Sequence, residues 1–188
     1  EGVISPIAGS DRGYQDGSRA DAQFNYPRAV CMDTKGNLLV TDIGNRRIRK
    51  VSPEGTVSTI AGSTSGNRDG IGTEALFHSP SGICIDNKDN MYVSDYWNYN
   101  IRKITPGGVV STVRGSDRDI GWGDIQLKSP SGICLNRYGN LVVADKGNKR
   151  IRMIVFPEMT KFVMFCLKHL PTVELPSDVV SYIASLHF

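Results

Sequence analysis

One string of residues occurs three times in this chain, and it limits the fold more than any other feature does. The string opens at Pro27, returns at Pro80 and opens again at Pro130, at offsets of 53 and then 50 residues. The recurring positions are Cys31, Asp33, Asn37, Asp42, Asn45, Ile48 and Arg49 in the first copy; Cys84, Asp86, Asn90, Asp95, Asn98, Ile101 and Arg102 in the second; and Cys134, Asn140, Asp145, Asn148, Ile151 and Arg152 in the third. Repetition at such a period indicates an array of supersecondary units. Recurring residues are expected to build the unit, so function is sought where the copies differ.

Each copy is typical of four short strands separated by turn residues. In the first copy the strands are predicted at residues 29–32, 38–41, 48–51 and 56–60, with Gly, Asn, Asp and Pro between them. Short strands with regularly spaced turns, repeated along the chain, favour a β-propeller, in which four-stranded sheets are arranged radially. The first strand of each copy is almost entirely apolar, as expected for a strand buried on both faces. The predicted fold class is all-β: a partial propeller of about three blades of four-stranded antiparallel sheets, with a short α-helical C-terminal tail.

The predicted boundaries follow the repeat. Residues 1–9 align with residues 54–62 and are predicted to be an orphan outer strand, belonging to a blade whose other strands are missing. Blade one is predicted over residues 10–62, blade two over 63–115 and blade three over 116–153, so that residues 1–153 are propeller. Residues 154–188 break the repeat and are predicted to be the helical tail.

The copies resemble a known family, the NHL repeat. The string that carries the resemblance in the second copy is Pro80-Ser81-Gly82-Ile83, Asp86, Asn90, Tyr92-Val93, Asp95, Asn98 and Ile101-Arg102-Lys103. The resemblance covers about residues 1–153, and it departs from the pattern at Asn100, where the other copies have Arg47 and Arg150. It implies a propeller that presents one face to protein partners. Some family members hold single-stranded RNA on a basic face, which is the alternative expectation.

Three blades cannot close a ring, because closed propellers typically have four to eight blades. Three arrangements remain open: a fragment of a longer propeller, copies that associate to complete the ring, or an array that stays open. An open end exposes apolar strand surface, which promotes association. Self-association that completes the propeller is therefore a further expectation.

The tail allows two interpretations. Leu175-Pro176-Ser177-Asp178-Val179-Val180 resembles the opening of an F-box, which would imply an adaptor in ubiquitination. The other interpretation is a pair of amphipathic helices that cover the open end of the array, with Ser177 as a helix cap.

Composition limits the partners and the compartment. The net charge of +3 is only mildly basic, so it permits a nucleic-acid partner without requiring one. The cysteines are expected to be small buried side chains that form neither disulfides nor a zinc site. Unpaired thiols, with no visible signal peptide or membrane-spanning segment, predict a cytoplasmic protein without a membrane partner.

Candidate binding residues are sought in the loops where the copies differ. In a four-stranded meander the loop between strands two and three and the loop that links successive blades emerge at the same end. These loops supply cationic and aromatic side chains, which suit a protein interface or stacked bases. The predicted binding residues are Arg46, Arg47, Arg68, Tyr96, Trp97, Tyr99, Trp122, Lys146, Lys149 and Arg150.

The sequence predicts a scaffold that is not an enzyme. The peptide-amidating lyase is similar in fold and uses metal-bound histidines, but this chain has only His78, His169 and His187. No nucleophile–base set or carboxylate pair has a recognisable spacing. No catalytic residue, metal or cofactor is therefore expected. The predicted function is a non-enzymatic interaction scaffold that binds protein partners through the loop face of the blades.

Overall fold

A computed structural model of the chain describes residues 2–114 and 126–156. The described residues form strands and three short 3-10 turns, and the strands lie in three sheets. The first sheet contains β1 (Pro27–Met32), β2 (Leu38–Asp42), β3 (Arg47–Val51) and β4 (Val57–Ala61). The second contains β5 (Gly70–Ile71), β6 (Pro80–Ile85), β7 (Met91–Asp95), β8 (Asn100–Ile104) and β9 (Val109–Arg114). The third contains β10 (Pro130–Leu135), β11 (Leu141–Asp145) and β12 (Arg150–Ile154).

Each sheet is an antiparallel meander, as the turn spacing predicts. The strand order is β1-β2-β3-β4 in the first sheet and β10-β11-β12 in the third. In the second sheet the order is β5-β9-β8-β7-β6, so the short β5 lies at the edge beside β9. The 3-10 turns are η1 (Ile43–Asn45), η2 (Gly72–Glu74) and η3 (Lys146–Asn148). The prediction of an all-β protein built from antiparallel sheets is confirmed.

A bulge follows the proline that opens the first strand of every sheet. Pro27 pairs with Asp42, and the register then shifts before Val30 pairs with Val40. The same shift follows Pro80 and Pro130. Proline is tolerated at the first position of a strand because it has no amide hydrogen to donate. The irregularity therefore repeats with the sequence.

A hydroxyl group at this bulge connects one sheet to the next. The Thr41 hydroxyl accepts a hydrogen bond from the Ala29 amide at 2.9 Å and donates to the Ser81 carbonyl of the second sheet at 3.0 Å. Ser94 repeats this, accepting from the Gly82 amide at 2.8 Å and donating to the Ser131 carbonyl of the third sheet at 2.6 Å. Successive sheets are thus joined by hydrogen bonds as well as by apolar contact.

The core lies between the sheets. Leu39 and Ile48 of the first sheet are buried in one cluster with Ile83 and Val93 of the second. Burying apolar area in this way stabilises by about 25 cal/mol per Å² removed from water. Because β6 packs against β1 on one side and β10 on the other, its side chains need not alternate between apolar and polar.

The segment that precedes each sheet folds back onto that sheet. We call residues 10–26 the first strap and residues 63–79 the second. Gly17 pairs with Val57 of the first outer strand, and Gly70 pairs with Val110 of the second. The backbone of each strap therefore extends its sheet by one more antiparallel pairing.

Several sequence-based expectations need correction or fall outside the described residues. Residues 2–9 form no strand, because an outer strand pairs with the third strand of its own sheet and no such strand lies beside this segment. The helical tail and the F-box resemblance fall in residues 157–188, outside the described residues. The blade boundaries stay predictions.

The cysteines in the described residues are free, although they are not all buried. Cys31 and Cys84 are half-buried, and Cys134 is exposed. Burial raises the pKa of the Cys31 thiol to about 11, and burial, followed by the neighbouring Cys31 and Cys134, raises that of Cys84 to about 12. Both thiols are protonated at neutral pH and are poor nucleophiles. The expectation of three buried side chains is wrong for Cys134, because no further sheet covers that face in the described residues.

Candidate functional site

The arginine that recurs in every copy is a buried structural group. The side chain of Arg49 has no exposed area, and its guanidinium lies 2.7 Å from one carboxylate oxygen of Asp42 and 2.7 Å from one of Asp16. It also donates to the carbonyl oxygens of Gln15 at 2.7 Å and Gln23 at 3.0 Å. Arg49 therefore ties the first strap to the first sheet.

The second sheet repeats this arrangement. Arg102 is fully buried, its guanidinium lies 2.7 Å from the Asp69 carboxylate of the second strap, and it donates to the carbonyl of Leu76 at 2.9 Å. Asp95 lies 3.8 Å from Arg102 and accepts from the Ser79 amide at 2.7 Å. Burial raises the pKa of Asp95 despite these hydrogen bonds. In the third sheet Arg152 lies 2.7 Å from Asp145.

The recurring aspartate and asparagine bind the strap as well as each other. Asp42 accepts a hydrogen bond from the Asn25 amide at 2.8 Å, and Asn45 donates to the Gly13 carbonyl at 2.7 Å and to Asp42 at 2.8 Å. Sequence reasoning assigned these residues to structure, but it did not identify the strap as their hydrogen-bond partner. The strap aspartates, Asp16 and Asp69, were missed, although their recurrence as Asp-Gly at an offset of 53 residues was a visible signal.

Asp69 gives the stability of the protein a defined acid dependence. Burial opposes ionisation, but hydrogen bonds from Thr112 and Arg102 together hold the pKa of Asp69 below its ordinary value of 3.8. A carboxylate with a lowered pKa stabilises the fold fully above its unfolded pKa and loses that contribution as pH falls through the folded pKa. We therefore expect Asp69→Asn to lower the free energy of unfolding most above pH 4 or so, and progressively less below it.

The measurement is urea unfolding of Asp69→Asn and of the unsubstituted protein at a series of pH values from 2.5 to 7 or so. Asp11→Asn, on the exposed part of the first strap, is the matched control. A difference between Asp69→Asn and the unsubstituted protein that does not change with pH would contradict the prediction.

Apart from Arg68 in the second strap, the predicted binding residues that the structure describes lie around the turns that follow the second strand of each sheet. Arg46, Tyr99 and Lys149 occupy the same repeat position and share a left-handed backbone, with φ of 57°, 58° and 56°. Arg47 and Arg150 open β3 and β12. Trp122 lies outside the described residues. The loops between strands two and three do approach the straps, because Arg47 lies 3.7 Å from the centre of the Tyr14 ring.

Aromatic and cationic side chains meet where the second and third sheets adjoin. We call His78, Tyr96, Trp97 and Lys146 the aromatic ledge. The Tyr96 and Trp97 rings are 5.1 Å apart in an edge-to-face arrangement, and the His78 ring is 6.4 Å from Trp97. The Lys146 ammonium lies 5.7 Å from the centre of the Tyr96 ring. Trp97 is 51% exposed, so the ledge offers a large apolar ring beside a cation.

Other predicted cations are held by contacts within the chain. Arg47 stacks on Tyr14 and donates to the Asn45 carbonyl at 2.7 Å. Arg68 donates to the Glu74 carbonyl at 2.6 and 2.9 Å. These contacts hold the guanidinium groups in place at the loop end. The structure thus brings Tyr96, Trp97 and Lys146 together, whereas Arg46, Arg47 and Arg68 lie on other parts of the same loop surface.

Within residues 2–114 and 126–156, no group of three or more histidine, cysteine or acidic side chains is arranged to hold a metal ion. No helix in that part of the chain has the length and apolar character that crossing a bilayer requires.

The stacked antiparallel sheets define a β-propeller-like repeat protein, mostly β in content. The NHL family model matches residues 127–153, within the third copy of the repeat, which confirms the resemblance inferred from the recurring residues. The NHL repeat-containing protein 2 of Gallus gallus is 40% identical over 93 residues, covering 48% of this chain and 13% of that protein. The protein SUPPRESSOR OF QUENCHING 1 of Arabidopsis thaliana, described as chloroplastic, is 35% identical over 111 residues, covering 53% of this chain and 10% of that protein.

This chain therefore spans only a small part of the length of the relatives that it matches. Among solved structures, a structural genomics protein of unknown function from Bacteroides thetaiotaomicron superposes with a TM-score of 0.60 at 28% identity. The superposition covers 68% of this chain and 34% of that protein.

The prediction that the chain is not an enzyme is wrong, because solved structures of the same fold include enzymes. The same fold is found in virginiamycin B lyase from Staphylococcus aureus, with a TM-score of 0.51 at 15% identity, covering 70% of this chain and 38% of that one. A gluconolactonase from Xanthomonas campestris superposes with a TM-score of 0.50 at 16% identity, covering 64% of this chain and 35% of that one. Such identities indicate a shared fold alone, so propellers of this kind include enzymes but no reaction follows for this chain.

Proposed function

We propose that this chain is an interaction module that binds protein partners at its loop surface. The surface comprises the predicted residues Arg46, Arg47, Arg68, Tyr96, Trp97, Tyr99, Trp122, Lys146, Lys149 and Arg150. The observation that supports the proposal most is the aromatic ledge, with its half-exposed Trp97. Tryptophan, tyrosine and arginine are enriched among the residues that carry most of the binding energy at protein interfaces.

The rings of the aromatic ledge are held in place by contacts within the chain, so a partner can bind them with little change in their conformation. Tyr96 packs edge-to-face against Trp97, and Lys146 lies over the Tyr96 ring. Contacts of this kind fix the rings before a partner arrives, which reduces the entropy lost on binding. Lys146, the cation of the ledge, favours a partner segment that combines an apolar anchor with acidic residues.

Selection of peptides from a random display library tests this proposal. Peptides enriched on the unsubstituted protein are expected to bind Trp97→Ala more weakly by about thirtyfold, because truncating a central aromatic anchor typically costs about 2 kcal/mol or more. Lys146→Glu is expected to weaken acidic peptides further. The matched control is Val109→Glu, an exposed apolar residue of the outer strand β9 that is 44% exposed. Equal affinities for all three variants, measured by calorimetry, would contradict the proposal.

Single-stranded RNA is the second candidate, because stacked aromatic rings beside cations also suit bases and phosphates. Titration of a labelled uridine oligomer at several salt concentrations separates the two. An affinity that falls steeply and linearly with log[salt], and that Trp97→Ala also weakens, supports RNA as the ligand.

We also propose that the chain self-associates, through surfaces other than the aromatic ledge. The support for this comes from apolar residues exposed on the outer faces of the first and third sheets, such as Val30 and Ile151.

A further inference from the structure

The turn that follows the second strand has no room for a side chain in two of the three sheets. Gly44 and Gly147 occupy the same repeat position in the first and third sheets, inside the 3-10 turns η1 and η3. Their amides donate to the carbonyl oxygens of Asn25 and Lys128 at 2.8 and 2.7 Å. A Cβ atom added to either glycine would lie 2.7 Å from that same carbonyl oxygen. Only glycine allows the two backbone segments to approach this closely.

The second sheet has Trp97 at this position, and the backbone around it is arranged differently. Here the amide of Tyr96 donates, and its acceptor is the Ser79 carbonyl at 3.0 Å. Relative to the other two sheets, the donor is one residue earlier and the acceptor is one residue later. Asp95 accepts from the Ser79 amide at 2.7 Å and from the His78 amide at 3.1 Å. The strap and the turn therefore change together where a large side chain replaces glycine, so Trp97 belongs to a rearranged turn.

The two rings of this turn carry hydrogen-bond donors that the chain does not use. Within residues 2–114 and 126–156, neither Nε1 of Trp97 nor the hydroxyl of Tyr96 has a hydrogen-bond partner. The planes of the two rings are 85° apart and their centres are 5.1 Å apart, so the rings form a corner. Rings that combine an apolar face with a polar group are suited to an interface. A ligand that fits this corner needs both apolar surface and hydrogen-bond acceptors.

The polar groups of the aromatic ledge favour a ligand that brings acceptors without donors. Trp97 Nε1 and the Lys146 ammonium only donate, and the Tyr96 hydroxyl can donate. A proline-rich segment has carbonyl oxygens but no amide hydrogens at its prolines. In the polyproline II conformation it has no internal hydrogen bonds, so those oxygens accept from outside donors. Its pyrrolidine rings supply the apolar surface, as in other grooves lined by aromatic residues.

Other ligands fit these groups less well. An α-helix pairs its carbonyl oxygens internally, and it would leave the donors of Trp97 and Tyr96 without partners. An added β-strand needs acceptors for its own amides as well as donors. A quaternary ammonium group favours aromatic rings, but Lys146, whose ammonium lies 5.7 Å from the centre of the Tyr96 ring, would repel it.

We propose that the aromatic ledge binds a proline-rich segment in the polyproline II conformation, with an acidic residue next to the prolines. The prolines pack in the corner of Tyr96 and Trp97, and their carbonyl oxygens accept from these two side chains. The acidic residue pairs with Lys146. The His78 ring, 6.4 Å from that of Trp97 and tilted by 39°, extends the apolar surface. This inference rests on the proposed function and names the chemistry of the partner.

Calorimetric titration of the full 188-residue chain with synthetic peptides tests the inference. The probe is a blocked hexaproline peptide that ends in two glutamates, and the matched peptide has alanine in place of every proline. The proline peptide is expected to bind about tenfold more tightly or better, because its bound conformation is already populated when it is free. A third peptide, with glutamine in place of glutamate, is expected to bind more weakly than the probe, and Lys146→Met is expected to remove that difference.

Two conservative substitutions test the hydrogen bonds. Trp97→Phe and Tyr96→Phe keep an aromatic ring and remove the donor, so each is expected to weaken the proline peptide by about two- to tenfold, the usual value of one hydrogen bond. Tyr26→Phe is the matched control, because Tyr26 is 66% exposed and lies outside the ledge. Tyr96→Phe removes a single oxygen atom, so it tests the inference even where Trp97→Phe alters the turn.

The contrary results separate this inference from the proposed function. Equal affinities for the proline and alanine peptides would overturn the inference. The proposed function would still stand if peptides selected from the random library lost affinity for Trp97→Ala, and it would fail with the inference if they did not. Unchanged binding by both Trp97→Phe and Tyr96→Phe would overturn the assignment of their donors to the ligand. A uridine oligomer that binds where the proline peptide does not would overturn the inference in favour of RNA.

Discussion

Replacing Arg49 by methionine is expected to lower the free energy of unfolding by about 3–5 kcal/mol, because it leaves the buried Asp42 carboxylate without its counterion. Asp42 and Arg49 have no exposed side-chain area, and they meet at 2.7 Å. Methionine fills much of the same volume, so the loss is mainly electrostatic. The two strap carbonyls to which Arg49 donates also lose their partner.

Urea unfolding followed by far-ultraviolet circular dichroism measures this effect. Lys88→Met, on an exposed hairpin, is the control, and it is expected to change stability by less than about 0.5 kcal/mol. The double variant Asp42→Asn/Arg49→Met is expected to lower the free energy of unfolding by less than the sum of the two single substitutions. Each single substitution leaves one charge of the buried pair behind, whereas the double variant removes both. A loss below about 1 kcal/mol for Arg49→Met would mean that the pair is not a structural link.

The second large effect is expected at Gly62. Alanine at Gly62 is strained by the positive φ of 93° and also meets the Arg46 carbonyl, which lies just before β3, the strand that pairs with β4. Gly9 has a comparable φ of 105°, but an added Cβ there meets only the movable ring of Phe24, at 3.1 Å. The two substitutions share the backbone strain, which costs about 1–3 kcal/mol. Gly62→Ala carries a further about 1–3 kcal/mol for overpacking.

The difference between the two variants isolates the contact of Gly62 with the Arg46–Arg47 turn. Both variants are to be unfolded in urea at the same low protein concentration. Equal losses for Gly62→Ala and Gly9→Ala would mean that the Arg46–Arg47 turn does not press against Gly62. Because m-values report the surface exposed on unfolding, a lower m-value for Gly62→Ala would indicate that the two sheets have begun to unfold separately.

The repeat made most of the fold predictable. Three copies in register define the strands to within one or two residues, as in β2, predicted at residues 38–41 and observed at Leu38–Asp42. Aspartate and asparagine at the turns were recognised as structural. Their hydrogen-bond partners were not, because Asp42 binds Asn25, 17 residues away, and a local turn pattern carries no information on contacts at that distance.

The contacts of the straps and of the aromatic ledge could not be predicted from the sequence, because they join residues that are far apart along the chain. Asp16 and Asp69 bind arginines 33 residues further along the chain, so an Asp-Gly pair that resembles an ordinary turn is a long-range ligand. Tyr96 and Trp97 were selected because they differ between copies. Lys146 reaches the Tyr96 ring from the next sheet. This contact depends on how two sheets stack, and the periodicity of one copy does not specify that stacking.

The attachment of each strap to the sheet that follows it defines the module that can be cut out or inserted. A cassette that starts at Pro27 would carry Arg49 without Asp16, and one that starts at Pro80 would carry Arg102 without Asp69. A cassette that starts 17 residues earlier, at residue 10 or 63, keeps every arginine with its carboxylates. Gene duplication, domain grafting and consensus design in this chain are therefore constrained to begin ahead of the strap.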